Sequence, residues 1–134
     1  MNKPEIFKLS IYYEDTDSSG FVYHTSYLKF AERARTELVK KKFSELKELM
    51  EKNLFFFVVS ELKIKFLEPS FLNDELEIET HFEKNTISSI ELLQQIKKNK
   101  NVICKVNVKL VWINGISKKP SRIPKNIIAR FNSR

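Results

Sequence analysis

The chain of 134 residues has the length of one domain, and its 42% hydrophobic content is enough to bury a core without disulfide bonds. Its apolar runs are shorter than the about 20 residues of a membrane-spanning helix, and its first residues lack the apolar segment of a signal peptide. The single cysteine, Cys104, cannot form an internal disulfide bond. These features predict one soluble domain, residues 1–134, in the cytoplasm.

The formal net charge of +7 comes from clustered lysines and arginines. Such clusters bind nucleic acids, anionic membranes or polyanionic ligands, but they also form ordinary solvated surfaces. Because no nucleic-acid recognition motif accompanies them, we expect no nucleic-acid partner. The clusters are Lys40–Lys42; Lys97, Lys98 and Lys100; and Lys118, Lys119, Arg122 and Lys125.

The first half of the chain predicts one strand and two helices. Alternating apolar residues predict a half-buried strand from Ile6 to Tyr13. From about Thr25 the apolar spacing becomes helical, which predicts a long central helix capped by Thr25 or Ser26. A shorter helix is predicted from Ser44 to about Lys52. The apolar stripe of the long helix consists of Tyr27, Phe30, Ala31, Ala34 and Leu38.

The second half of the chain predicts four strands in series. A run of strands after an early helix is typical of an α+β fold, in which one antiparallel sheet covers the buried stripe of that helix. One helix cannot cover both faces of such a sheet, so we expect a homo-oligomer. The predicted strands are Leu54–Leu67, Glu75–Glu83, Ser88–Ile96 and Val102–Ile113, followed by a short terminal helix over Pro124–Phe131.

A dense polar and aromatic segment, Tyr12–Glu37, lies between the first strand and the long helix. The residues Asp15, Asp17, Ser19 and Gly20 match the first half of a calcium-binding EF-hand loop, but Ser26 stands where that loop needs its bidentate glutamate. The two histidines are far apart in sequence and the cysteine is solitary, so a zinc site lacks ligands. A chain of this length has no room for the parallel α/β domain of phosphoaspartate enzymes. We expect no metal site.

Two readings of the acidic loop remain. In the first, Asp17 is a base or nucleophile, and the helix start at about His24 presents unpaired backbone N–H groups to a substrate oxyanion. In the second, Asp15 and Asp17 only form turns or helix caps. Tyr13 and His24 on either side of the loop favour the first reading, because a turn has no need of a phenol and an imidazole.

The same segment resembles the signature of the acyl-CoA thioesterases related to 4-hydroxybenzoyl-CoA thioesterase, and in particular their YbgC-like branch. Their pattern Y-Y-E-D-T-D is met by Tyr12–Asp17, and their E-R-A-R-T-E by Glu32–Glu37. Between them, G-x-V-Y-H-x-S-Y is met by Gly20–Tyr27. The later stretches FFFVVSELKIKFLEPSFLNDELEI and KKPSRIPKNI are also similar, so the resemblance covers nearly the whole chain.

The resemblance implies a hotdog fold, in which a curved antiparallel sheet wraps around one long central helix. It implies dimers or tetramers with active sites between the subunits, an acyl-CoA substrate and no separate cofactor. It also identifies Asp17 as the catalytic carboxylate, with Tyr13 and His24 as assisting groups. One departure is visible, because Ser18 and Ser19 stand where many relatives have Ala-Gly.

Substrate-binding residues are predicted on the later strands. An acyl chain is expected to run between subunits against an apolar stretch, and the nucleotide end of coenzyme A against a basic rim. A non-hydrolytic module that binds acyl-CoA or acyl carrier protein in lipid metabolism is the alternative function. The acyl-chain residues are Phe55, Phe56, Phe57 and Val58, and the rim residues are Arg33, Lys84, Ser88 and Ser89.

Overall fold

The computed structural model describes residues 3–132, and its five strands form one antiparallel sheet in the order β1-β3-β4-β5-β2. The predicted α+β hotdog architecture is confirmed, since the long helix α1 packs against this sheet. The prediction of one domain over 1–134 stays a prediction. The elements are β1 Glu5–Ser10, a 3-10 helix Tyr13–Asp15, α1 His24–Lys42, α2 Ser44–Glu51, β2 Phe55–Phe66, β3 Glu75–Asn85, β4 Ser89–Lys98, β5 Asn101–Asn114 and α3 Lys125–Asn132.

The core has two parts, both built on the predicted helical stripe. The first half of α1 buries Tyr27, Phe30, Ala31 and Ala34 against the sheet. The second half, together with α2 and α3, packs around Trp112. Full burial of one large apolar side chain contributes roughly 1.5–3 kcal/mol, so this stripe fixes the position of α1. The sheet residues beneath its first half are Leu76, Ile78, Ile96, Ile103, Cys104 and Val106.

Two predictions about the helix and strand ends are wrong. β1 ends at Ser10 and not at Tyr13, because the chain turns into a 3-10 helix in which the Tyr12 N–H donates to the Asp15 side chain. No side chain caps α1, which begins after Tyr23. Ser26 does not cap it, because its hydroxyl instead donates to the backbone oxygen of Asp15.

Strand β2 is twelve residues long and lies at an edge of the sheet. Four of its apolar side chains are 37–47% exposed, namely Val58, Val59, Leu62 and Phe66. A long edge strand presents unpaired backbone N–H and C=O groups that can pair with another strand.

Within residues 3–132, no helix is both long and apolar enough to span a membrane.

Candidate active site

Residues 15–23 form a tight hairpin that leads directly into α1. The Tyr23 N–H donates to the Asp15 carbonyl at 2.8 Å, and the Asp17 N–H donates to the Phe21 carbonyl at 2.9 Å. At the tip, the Gly20 N–H donates to the Asp17 carbonyl at 3.1 Å, and Gly20 has a φ of +89°. Only glycine adopts this φ without strain, so the predicted role of Gly20 in the turn is confirmed.

The second arm of the hairpin is fixed to the loop between β2 and β3. The Val22 N–H donates to the Ser70 carbonyl at 2.9 Å, and the rings of Phe21 and Phe71 lie 4.9 Å apart. The Ser70 hydroxyl is in turn hydrogen-bonded to the Tyr27 phenol on α1 at 2.6 Å, and both side chains are buried. This link ties the hairpin to the helix at a second point.

Asp15 at the base of the hairpin has structural partners only. Its side chain is 5% exposed and accepts a hydrogen bond from the Tyr12 N–H at 2.9 Å. Its carbonyl oxygen accepts from the Tyr23 N–H and, at 3.1 Å, from the Ser26 hydroxyl. The contacts of Asp15 therefore agree with the second interpretation of the acidic loop, in which this residue forms a turn or a helix cap.

Asp17 near the tip is exposed, and its carboxylate is held by Ser19. One carboxylate oxygen accepts from the Ser19 hydroxyl and, at 2.8 Å, from the Ser19 N–H. These hydrogen bonds stabilise the charged form and lower the pKa of Asp17 below its ordinary value of 3.8. At neutral pH the group is an ionised carboxylate that is open to solvent and available to a ligand.

The start of α1 lies immediately after the hairpin and is uncapped. His24 is its first residue, and in the described part of the chain the backbone N–H groups of His24 and Thr25 donate no hydrogen bond. Unpaired N–H groups at a helix N-terminus, together with the helix dipole, favour a bound anion. The exposed His24 imidazole stacks on Tyr23, with ring centroids 4.8 Å apart, and lies 6.4 Å from the Phe66 ring.

Two further groups near the site differ sharply in exposure. The Tyr13 side chain is 80% exposed, and its phenol makes no hydrogen bond to Asp17 among the residues that the structure describes. Cys104 lies in the core beneath α1, and burial raises the pKa of its thiol to about 12. A thiol that stays protonated and enclosed is no nucleophile at neutral pH.

The predicted acyl-chain residues lie at the opposite end of the protomer. Phe66 at the end of β2 neighbours His24, whereas Phe55 at its start stacks on Trp112 with ring centroids 5.7 Å apart. Eleven residues of extended strand separate these two ends, which is about 36 Å. One copy of the chain therefore does not bring Asp17 and the segment Phe55–Val58 together.

The predicted coenzyme A residues are also spread over one copy. Lys84 is paired with Glu91 at 3.6 Å, close to the turn between β3 and β4. In that turn the buried Ser89 hydroxyl is hydrogen-bonded to Thr86 at 2.6 Å, and the Ser88 N–H donates to the same Thr86 oxygen at 3.3 Å. Arg33 lies on the exposed side of α1, 5.8 Å from the ring of Phe30.

Two residues that hold the site are not among the predicted site residues. Ser19 enters the sequence analysis only in the rejected EF-hand match and as a departure from the family pattern, although an aspartate side chain in a turn often accepts from the backbone N–H two residues later. Ser70 lies 43 residues from its partner Tyr27, and no local pattern signals that contact. Within residues 3–132, no group of three or more histidine, cysteine or acidic side chains is placed to hold a metal ion.

Comparison with known proteins decides the family. The sequence model of the thioesterase-like superfamily matches residues 12–131. The chain belongs to the thioesterase-like superfamily. It is 36% identical over 122 residues to the acyl-CoA thioester hydrolase YbgC of Escherichia coli O6:H1, covering 90% of each chain. The acyl-CoA thioesterase YbgC of Haemophilus influenzae is 35% identical over 126 residues, covering 94% of this chain and 93% of that protein.

Solved structures of this superfamily share the fold. A probable thioesterase from Bartonella henselae superimposes with a TM-score of 0.81 at 31% identity, covering 90% of this chain and 99% of that one. The gentisyl-coenzyme A thioesterase BH1999 superimposes with a TM-score of 0.85 at 23% identity, covering 95% of this chain and 99% of that one. The resemblance to YbgC-like thioesterases that the segment Tyr12–Glu37 indicated is confirmed.

Proposed function

We propose that the chain is an acyl-CoA thioesterase, which hydrolyses an acyl-CoA to a free acid and coenzyme A. YbgC relatives that match at least 90% of the chain bear names for this activity. The observation that carries the proposal is an ionised carboxylate, Asp17, on a hairpin that leads directly into the uncapped start of a helix. Coenzyme A is part of the substrate, and no cofactor is proposed.

The helix start supplies the oxyanion site. The thioester carbonyl oxygen binds the backbone N–H of His24, so that the negative charge that develops during attack meets the positive end of α1. The donor is held in place by the helix and needs no reorganisation when the charge appears. One such donor contributes roughly 3 kcal/mol to stabilisation of the transition state.

Asp17 supplies the reacting carboxylate. It either attacks the carbonyl carbon to form a mixed anhydride, which water then hydrolyses, or it takes a proton from an attacking water molecule. Both routes break the carbon–sulfur bond and need Asp17 ionised, in agreement with its lowered pKa. His24 orients the thioester or protonates the departing thiolate, and Tyr13 is the second assisting group.

A second copy of the chain completes the site. Asp17 is exposed to solvent in one protomer. Electrostatic stabilisation of a transition state is strongest where water is excluded, so a single protomer leaves the site too open. The free edge of β2 offers twelve residues for antiparallel pairing with the same strand of a partner. Such pairing lays the end of β2 in one copy beside its start in the other. It thereby brings the partner subunit's Asp17 and His24 towards Phe55–Val58.

The acyl chain then runs between subunits along Phe55, Phe56, Phe57 and Val58. The phosphates of coenzyme A bind the basic rim, to which Arg33 and Lys84 contribute positive charge. Ser88 and Ser89 shape the turn beside Lys84 through their bonds to Thr86. The same basic rim also suits acyl carrier protein, which is the alternative carrier of the thioester.

The catalytic proposal is tested with purified protein and a panel of acyl-CoA thioesters, with a thiol-reactive dye to detect free coenzyme A. We expect hydrolysis by the parent and a loss of kcat by a factor of about 100–10,000 in Asp17→Asn, which keeps the size but not the charge. Because Asp17 is exposed, this variant should unfold at the parent's temperature. Binding of acyl-CoA without release of thiol would instead support the non-hydrolytic module.

The assembly is tested by sedimentation at several protein concentrations. Leu62→Lys places a charge on the exposed edge of β2, and we expect it to shift the oligomer towards monomer and to lower kcat/KM with it. Ile87→Lys is the matched control, because Ile87 is 63% exposed in the turn between β3 and β4, away from this edge. A parent that is monomeric and fully active would contradict the inter-subunit site.

A further inference from the structure

A groove of about 410 Å³ lies between α1, α2 and the first half of β2. Its size is within the range of small-molecule sites, about 300–1,000 Å³. Phe57 and Val59 line it; Phe57 belongs to the part of β2 along which the acyl chain is proposed to run, and Val59 follows directly after that part. The other apolar lining residues are Val39, Met50 and Leu110.

One cation in the wall of this groove, Arg35, is almost completely buried. Arg35 is 9% exposed, and its guanidinium donates one hydrogen bond, to the Gln94 side-chain oxygen at 2.8 Å. Gln94 is itself fixed, because its amide nitrogen donates to the Ala31 carbonyl at 2.9 Å and to the Thr80 hydroxyl at 3.1 Å. The guanidinium is therefore held rigidly, as a preorganised binding group should be.

The remaining N–H groups of Arg35 have no acceptor in the part of the chain that the structure describes. They are not sealed in the core either, because His81 Nε2 is the one enclosed side-chain nitrogen or oxygen without a hydrogen-bond partner among residues 3–132. Since Arg35 lines the groove, a ligand bound there lies beside this side chain. A buried guanidinium with free donors calls for a bidentate acceptor.

The other charged groups of the groove do not meet this need. Lys40 is paired with Glu37 at 3.3 Å, and Lys47 is paired with Glu51 at 3.8 Å. No carboxylate within residues 3–132 lies at ion-pair distance from Arg35, although Glu32 lines the same groove and its charge acts on the guanidinium from a greater distance. The buried guanidinium beside the five apolar lining residues thus favours an anionic group at the end of an apolar chain.

We propose that Arg35 is a specificity-determining residue, which selects acyl groups that carry a carboxylate at the end remote from the thioester. The inference rests on the proposed thioesterase function and names its substrate class. A plain alkyl chain of the same length leaves the guanidinium donors unpaired, and sites built around a buried polar group discriminate strongly against ligands that lack its partner.

The test compares hydrolysis of thioesters that are matched in chain length. The pairs are succinyl-CoA with butanoyl-CoA, adipoyl-CoA with hexanoyl-CoA, suberoyl-CoA with octanoyl-CoA, and sebacoyl-CoA with decanoyl-CoA. For at least one pair, we expect the parent to have a kcat/KM at least about tenfold higher with the carboxylated substrate, as removal of a buried charge pair costs at least that factor. A preference for the alkyl member in every pair overturns the proposal.

Three variants locate the preference. Arg35→Met keeps an unbranched side chain without charge and should reverse the preference, while Arg35→Lys should restore part of it. Lys29→Met is the matched control, since it removes one exposed positive charge from the same helix outside the groove. If Arg35→Met does not fold, the parent and Arg35→Lys still decide. The role of Arg35 is contradicted if the parent also hydrolyses the alkyl substrates efficiently and Arg35→Lys has the same preference between the two substrate types as the parent.

A binding measurement separates this inference from the catalytic proposal. The one tryptophan, Trp112, packs against Phe57 with ring centroids 4.7 Å apart, so its fluorescence reports on a ligand in the groove. Octanoate should change the signal at concentrations where octanol does not, and Arg35→Met should abolish the difference. If octanoate binds in this way but no thioester is hydrolysed, the Arg35 site stands and the thioesterase proposal fails. Equal responses to octanoate and octanol overturn the Arg35 site.

Discussion

The base and the tip of the 15–23 hairpin carry the same type of side chain in opposite surroundings. At the base, the Asp15 carboxylate is buried and accepts a hydrogen bond from the Tyr12 N–H. Near the tip, the Asp17 carboxylate is exposed and is held by Ser19 alone among the described side chains. Two residues of sequence separate a carboxylate that is enclosed in the fold from one that is open to solvent.

In the proposed mechanism, the D-T-D pattern therefore combines two tasks. A reactive group at the end of a mobile loop would sample many positions, whereas catalysis needs it within a fraction of an ångström of its target. Asp15, with its bonds to Tyr12, Tyr23 and Ser26, fixes the loop that places Asp17. The structural interpretation of the loop therefore suits Asp15, and the catalytic interpretation suits Asp17.

The largest effect is expected from removal of the backbone donor at the helix start. His24→Pro deletes that N–H, and proline is well tolerated at the first position of a helix. The preceding residue, Tyr23, already has φ of −64° and ψ of 137°, a conformation that a following proline favours. We expect kcat to fall by a factor of about 100–1,000 beyond the loss in the matched control His24→Ala.

His24→Ala keeps the backbone N–H and removes the imidazole, so this control measures the side chain alone. We expect a clear loss of kcat without a change in thermal unfolding. Equal kinetics of the alanine and proline variants would show that the N–H at position 24 binds no oxyanion. Full activity of His24→Ala would limit the imidazole to packing against Tyr23.

The next effect separates the two acids. Asp15→Ala leaves the Tyr12 N–H without its acceptor, and we expect the free energy of unfolding to fall by about 1–3 kcal/mol. Asp15→Asn keeps an acceptor oxygen and should lose less, with kcat within a few-fold of the parent. The same Asp→Asn change at position 17 should lower kcat by the factor of about 100–10,000 expected above and spare stability. Chemical denaturation and steady-state kinetics on the parent and these three variants test the distinction. Similar changes in stability and kcat at the two positions would contradict it.

A smaller loss is expected at the turn. Gly20→Ala places a Cβ in open space, so the cost is the backbone strain at φ of +89°, about 1 kcal/mol. Asparagine tolerates this region better than alanine, which makes Gly20→Asn the matched control. Thermal unfolding should rank the parent above the asparagine variant and the asparagine variant above alanine. If alanine proved as stable as glycine, the turn would have rearranged.

Much of the fold follows from the sequence because its signals are local. The stripe from Tyr27 to Leu38 and the alternation in Glu75–Glu83 each mark a buried face, and the corresponding α1 and β3 are present. The end of β1 and the cap of α1 were mispredicted, because a buried acid redirects the polar groups there. A one-residue pattern cannot tell whether a serine caps its own helix or bonds to a loop eleven residues away.

The candidate site was predicted only in part for a similar reason. Asp17, Gly20 and His24 belong to one contiguous segment, and the structure joins them through a single hairpin. The Ser70–Tyr27 bond and the Arg35–Gln94 bond link residues 43 and 59 positions apart, and no spacing rule reports such contacts. The placement of Phe55–Val58 far from Asp17 in one copy depends on the strand order, which periodicity does not determine.

The smallest effect at neutral pH, and the most specific one, is expected from Ser19→Ala. The Ser19 hydroxyl and N–H lower the pKa of Asp17, so loss of the hydroxyl moves that pKa back towards its ordinary value. A base or nucleophile works only when ionised, so its rate is lost as the pH falls through its pKa. The acidic limb of kcat/KM should therefore move to higher pH in the variant, while the rate at neutral pH changes little.

Short assays between about pH 3 and pH 6 measure this shift, since ordinary aspartates titrate near 3.9. Ser18→Ala is the matched control, because in the described part of the chain Ser18 makes no hydrogen bond to Asp17, and its acidic limb should coincide with the parent's. A limb that stays in place in Ser19→Ala would mean that another group controls the rate in acid. A shift in the serine-19 variant alone would tie the acidic limb to the one carboxylate that the hairpin leaves exposed.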